Sequence, residues 1–126
     1  MKHLILTSAI LAALTAPIGA ETLTIGTATA QTGGLAYADV PTMQGMKLAV
    51  EEINAAGGID GATKIVLLEK DVRSDPAQTS IAAQEPADAG VSVIVLPGDS
   101  DPALAAIGVV SSAEIPAIST VASSPT

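Results

Sequence analysis

The sequence has no cysteine, one histidine, one aromatic residue and few cations. Without cysteine there are no disulfides, no thiol nucleophile, no thiolate metal site and no lipid-modified cysteine anchor. The single histidine, His3, falls in an amino-terminal leader, so the rest of the chain lacks the usual general base and the usual zinc ligand. Tyr37 is the only aromatic side chain, which leaves neither base stacking nor an aromatic ligand box. Net charge is −8. The basic residues beyond the leader, Lys47, Lys64, Lys70 and Arg73, make no footprint for nucleic acid or anionic lipid. Nor does any run after Ala20 reach the roughly 18 consecutive apolar residues of a membrane span. No nucleic-acid partner and no direct membrane insertion are therefore expected.

What is present begins with MKHLILTSAILAALTAPIGA: a basic start at Lys2, an apolar run from Leu4 to Leu14, Pro17, and small residues at Gly19 and Ala20. This is the build of a secretory signal peptide over residues 1–20, with a cut expected after Ala20 and an exported product. About 106 residues then remain, enough for one small domain.

After the leader, TLTIGTA alternates, with Leu23 and Ile25 on one face of a first strand. A loop over residues 29–38 carries the Gly33-Gly34 pair. A helix is expected to follow, with Asp39 near its cap and Pro41 in its first turn. Met43, Met46, Val50 and Ile53 share one face of it, while Leu48 falls on the polar side. In AVEEINAAGGIDG, residues 49–61, the glycine pair reads as a helix stop, with Gly57 left-handed, and not as a phosphate loop. KIVLLEKD (64–71) suits a strand buried on both faces. VSVIVLPGD (91–99) and IPAIST (115–120) supply a third and a fourth. Alanine-rich stretches over 76–90 and 102–113 are crossover helices, the first kinked or ended early by Pro86. The alternation implies an α/β fold: a parallel open sheet with right-handed crossover helices. SDPA occurs at 74–77 and again at 100–103, each time reading as a cap with proline in the first helical turn.

In such a sheet ligands bind beyond the carboxyl ends of the strands, here the loops over 29–38, 71–75, 97–101 and 121–126. They are rich in glycine and small hydroxyl residues, and the start of the third helix at 98–101 adds a partial positive charge suited to a carboxylate. Asp71, Asp75, Asp99 and Asp101 read as solvated caps. The alternative is a small flavodoxin-like domain in which they hold Mg²⁺ for phosphate. Ser100, Ser119, Ser123 and Ser124 have no histidine to activate them, so no catalytic residue is expected. The three-glycine dinucleotide pattern and a Walker-type lysine are both missing. No enzyme activity, cofactor or metal is expected.

IGTATAQTGGLA, GMKLAVEEINAAGGIDG, KIVLLEKDVRSDPAQ, GVSVIVLPGDSDPALA and IPAISTVASSPT resemble, in order, the amino-terminal part of periplasmic solute-binding proteins of the leucine/isoleucine/valine-binding type. Members feed branched-chain amino acid ABC importers. The resemblance implies a type I lobe, incomplete here and covering residues 21–126, one of two lobes that clamp a solute on a hinge. It implies a small-molecule solute and the membrane permease of an ABC importer as partners. Ligand contacts then fall on Gly98, Asp99 and Ser100 after the third strand, on Val121 and Ser123 after the fourth, and on Tyr37 or its neighbour Ala38 in the first loop. STVAS stands where the family more usually has Ser-Pro-x-x-Thr, Thr120 replaces a frequent proline, and Asp101 an often small residue. That extra carboxylate disfavours an acid and favours an amine or amide. Members continue past the position of Thr126 into a second lobe, so the expected product is an opening segment, with a truncated product lacking function as the bland alternative.

Overall fold

The computed structural model describes residues 21–123. The expected leader, its cut after Ala20, and Ser124 with the rest of the last loop lie outside them. Four strands, β1 (Thr22–Thr29), β2 (Lys64–Asp71), β3 (Val93–Leu96) and β4 (Ala117–Ser119), form one sheet in the order β2-β1-β3-β4. Every neighbouring pair is parallel. The helices are α1 (Ala36–Ala55), α2 (Pro76–Asp88), α3 (Ser100–Ala105) and α4 (Ile107–Ser112). The expected parallel α/β alternation is thus the observed one.

The main core lies on one face of the sheet. Ala28 and Ala30 at the end of β1, and Ile94 and Leu96 of β3, pack with Ala83 and Ala87 of α2, Ala103 of α3, Ala106, and Val110 of α4. Small side chains let these layers approach closely. A Cβ built on Gly26 would lie 2.6 Å from the Cβ of Pro86. The helix α1 is absent from this core and packs on β2. Thr27 and Thr29 alternate with Ala28 and point to the opposite face.

Five expectations change. The strand β2 is not buried on both faces: it is an edge strand in which Ile65 alone is buried and Val66 is about half-exposed. Asn54 takes the place of a further strand there, its amide accepting from Ile65 N–H at 2.8 Å and donating to Ile65 C=O at 2.7 Å. The helix α1 starts before Asp39. Leu35 is its cap residue without a capping side chain, and the Leu35 N–H is met instead by Ser74 Oγ at 2.9 Å, so Pro41 ends up inside the helix. Pro86 does not end α2 where it stands. The helix runs on to Asp88, because the buried ring fits the space over Gly26. The third helical stretch is two short helices joined at Ala106, whose carbonyl accepts from both Val109 and Val110. Gly108 and the β-branched residues around it disfavour one continuous helix. Finally, in the second SDPA the cap is Asp99, one residue before the motif, whereas in the first it is Asp75 within it.

The stop signals behave as expected. At the end of α1, Gly57 is left-handed (φ 114°), Gly57 N–H donates to Asn54 C=O and Gly58 N–H to Ile53 C=O. This is the Schellman pattern, and it recurs after α2 at Gly90 and after α4 at Glu114.

Candidate functional site

Because the strands are parallel, the loops after β1, β2, β3 and β4 share one rim at their carboxyl ends. Side chains stitch this rim together. Asp71, the last residue of β2, accepts from Gln31 N–H (3.0 Å), Thr32 N–H (3.2 Å), the Thr32 hydroxyl (2.7 Å) and Arg73 N–H (2.9 Å). Arg73 and Ser74 both sit at positive φ, 54° and 59°. Such a conformation costs about 1–2 kcal/mol per L-residue. It holds the Ser74 hydroxyl in place to donate to Thr32 C=O at 2.8 Å while accepting from Leu35 N–H. The β2 loop therefore holds the β1 loop through two side chains.

On the other side the tie is Asp39, in the first turn of α1 and only 3% exposed. One carboxylate oxygen accepts from Ala30 N–H at 2.7 Å and the other from Gly98 N–H at 2.8 Å. These partners lie 9 and 59 residues away along the chain. The sheet order reverses between β1 and β3, the switch point at which open α/β sheets form their crevice. Asp39 occupies that crevice. Farther along, Ser119 donates its hydroxyl to Pro97 C=O at 2.6 Å, and Ser100 Oγ accepts from Ser123 N–H at 3.2 Å.

The expected site residues thus divide. Gly98, Ser100, Val121 and Ser123 come together where the β3 and β4 loops meet. A Cβ on Gly98 would lie 2.5 Å from a Val121 methyl and 3.0 Å from Asp39 Oδ1, so any larger residue would have to displace the Val121 side chain. Asp99 lies beside them, exposed, accepting from Asp101 N–H at 3.3 Å as the cap of α3. Tyr37 is on the first turn of α1 and 79% exposed. The partial positive charge expected over 98–101 is largely spent. Gly98 N–H is bound by Asp39, Asp101 N–H by Asp99, and Ala103 N–H by Asp99 C=O. A groove of about 240 Å³ opens next to the rim, lined by Ser100 and Ser119 and by the apolar Leu104, Ile107, Val110 and Ala122.

Partial burial alone would raise the Asp71 pKa. Hydrogen bonds from the Thr32 hydroxyl and from the N–H groups of Arg73, Gln31 and Thr32 outweigh it and hold the carboxyl below its usual range. With Asp71 tied to the β1 loop and Asp75 and Asp99 acting as caps, three of the four carboxylates of the magnesium alternative already have structural tasks. Among the described residues no group of three or more His, Asp or Glu is arranged to hold a metal ion.

The sequence singled out the loops that form this rim but missed Asp39 and the loop-tying roles of Asp71 and Ser74. The Ser74 hydroxyl belongs to an SDPA motif that was visible. For Asp39 nothing local marks the role, since Gly98 is so distant in sequence.

No curated protein matches the chain. Among solved structures it is similar to the branched-chain amino acid transporter substrate-binding protein LivJ of Streptococcus pneumoniae, in complex with isoleucine, at 35% identity and a TM-score of 0.78 over 82% of this chain and 30% of that one. It is also similar to an ABC transporter substrate-binding protein of Desulfitobacterium hafniense in complex with Leu, at 29% identity and a TM-score of 0.69 over 83% of this chain and 30% of that one. A putative branched-chain amino acid ABC transporter protein from Rhodospirillum rubrum gives 26% identity and a TM-score of 0.74 over 82% and 30%. The chain spans less than a third of the length of each of these structures. Residues 22–126 match the family model described as periplasmic binding protein. That match begins with β1 and runs through every strand, helix and loop of the rim, and the chain accordingly belongs to the periplasmic binding protein family.

Proposed function

We propose that the chain supplies the first-lobe wall of an extracytoplasmic solute-binding protein that captures an amino-acid-like solute and delivers it to the permease of an ABC importer, without chemical turnover. The observation that carries this reading is the meeting of Gly98, Ser100, Val121 and Ser123 at the rim, with the polar side chains of Ser100 and Ser123 beside a largely apolar groove. Polar groups of that kind orient the head of an amino acid, and the groove's Leu104 and Ile107 offer apolar surface nearby. The solutes in two of the similar structures, isoleucine and leucine, have this mixed character. Aspartates at 39, 99 and 101 around the turn favour a solute carrying an ammonium over a simple acid.

The test is calorimetry on this chain extended to the length of its relatives, titrated with leucine, isoleucine, an amide such as glutamine, and 3,4-dihydroxybenzoate. Heat with an amino acid, and not with the acid lacking an amine, is the expected result. Absence of binding to all four rejects the reading.

A further inference from the structure

Asp39 is a buried carboxylate held by two backbone N–H groups, in the first turn of a 20-residue helix and at the switch point of the sheet. It takes part in neither of the two ion pairs among the described residues, Lys47–Glu69 and Lys70–Glu85. A crevice of this kind, with N–H donors converging near a helix start, is where open α/β sheets receive an anion from outside. Here the chain fills it with its own side chain.

We propose that Asp39 is a built-in anion that positions the solute rim: it locks the β1 loop to the β3 turn, fixes the Gly98 backbone through which Ser100 is presented, and closes the crevice to exogenous carboxylates. The part of this that concerns the solute rests on the function proposed above; the lock itself does not. Three features support it. The two oxygens divide between two loops, so neither loop can shift without breaking a charge-assisted hydrogen bond. Gly98 has no free space, since Asp39 and Val121 both press on the position a Cβ would take. And with Gly98 N–H consumed, a bound solute has to use the neighbouring Ser100 side of the turn.

The experiment uses residue-resolved amide exchange and thermal melts on the 126-residue chain, with Asp39→Ala, Asp39→Asn and the control Asp71→Asn. Asp39→Ala speeds exchange at Ala30 and Gly98 by about tenfold or more relative to amides in β2 and at the end of α2. Asp39→Asn, which keeps one carbonyl oxygen, restores protection to one of the two. Asp71→Asn exposes Gln31 and Thr32 but leaves Gly98 protected. Sodium formate at about 50 mM, against chloride at equal ionic strength, restores both amides and raises the melting temperature of Asp39→Ala while leaving the unsubstituted chain unchanged, as mass action requires of a ligand for a vacated site. If Asp39→Ala does not fold alone, formate-dependent refolding and the Asp39→Asn exchange pattern carry the same test. Unchanged exchange at Ala30 and Gly98, uniform acceleration of all amides, or formate acting on both proteins alike overturns the proposal. Leucine titration of the extended protein reads the function separately, so loss of one conclusion does not hide the other.

Discussion

Asp71 and Thr27 show opposite ways in which a polar side chain meets the interior of this protein. Asp71 has four donors, and its carboxyl is held below the usual range. A depressed folded-state pKa contributes stability that is present above the unfolded value, about 3.9, and is lost as pH falls through the folded value. Urea melts from neutral pH downward should therefore show the gap between the unsubstituted chain and Asp71→Asn at full size above about pH 4 and shrinking below it. A gap that persists unchanged into strong acid would contradict the role given to Asp71. Thr27, wholly buried, has a hydroxyl with no partner. Thr27→Val removes that orphan at nearly constant shape and should raise stability by about 1 kcal/mol, read as a higher urea midpoint at unchanged slope. At this scale the sequence revealed caps such as Asp75, whose partner Ala77 lies two residues on. It concealed Asp39, and it concealed the ties of Asp71 to Gln31 and Thr32, because these partners are distant in sequence and are brought close by the pairing of strands.

Elements were more legible than residues, because periodicity and stop signals are local. The glycine pair at 57–58 ends α1 as its position announces, and the four apolar runs all became strands of one parallel sheet. What failed was the judgement of burial. KIVLLEKD has the composition of a central strand, yet strand order puts it at an edge, and order is decided by where the helices cross. Pro86 lies inside α2, two residues before its end at Asp88: its cost to the helix is visible locally, while its fit over Gly26 is not. One cap is left imperfect. After α4 the left-handed position is taken by Glu114 at φ 55°, while Glu114 N–H donates to Ser111 C=O and Ile115 N–H to Val110 C=O. Glycine occupies the same position after α1 and α2. Glu114→Gly keeps both backbone bonds and relieves the strain, and it should stabilise the chain by about 0.5–1 kcal/mol, since αL costs an L-residue more than glycine's extra unfolded-state freedom. Calorimetric melting should show an upward shift of a few degrees; a downward shift would mean that the glutamate side chain itself contributes.

For the molecule as a whole, the proposed function makes the rim one wall of a binding site. Small-ligand pockets enclose about 70–90% of a drug-sized ligand's surface. Here Ser100 and Ser123 meet at an exposed turn, Val121 is 64% exposed, and the neighbouring groove is shallow at about 240 Å³. The similar structures that hold isoleucine and leucine are more than three times the span matched by this chain. A solute resting on this rim keeps most of its surface in water and gains few hydrogen bonds beyond those already exchanged with solvent. The 126-residue chain by itself should therefore bind leucine more weakly than about 1 mM, equivalent to less than about 4 kcal/mol. Nitrogen–proton correlation spectra titrated with leucine read this directly. Small, unsaturated shifts confined to the Gly98–Ser100 turn and to Val121–Ser123 are expected. Saturation at micromolar leucine would show that this wall alone encloses the solute, and shifts centred elsewhere would displace the site from the β3–β4 rim.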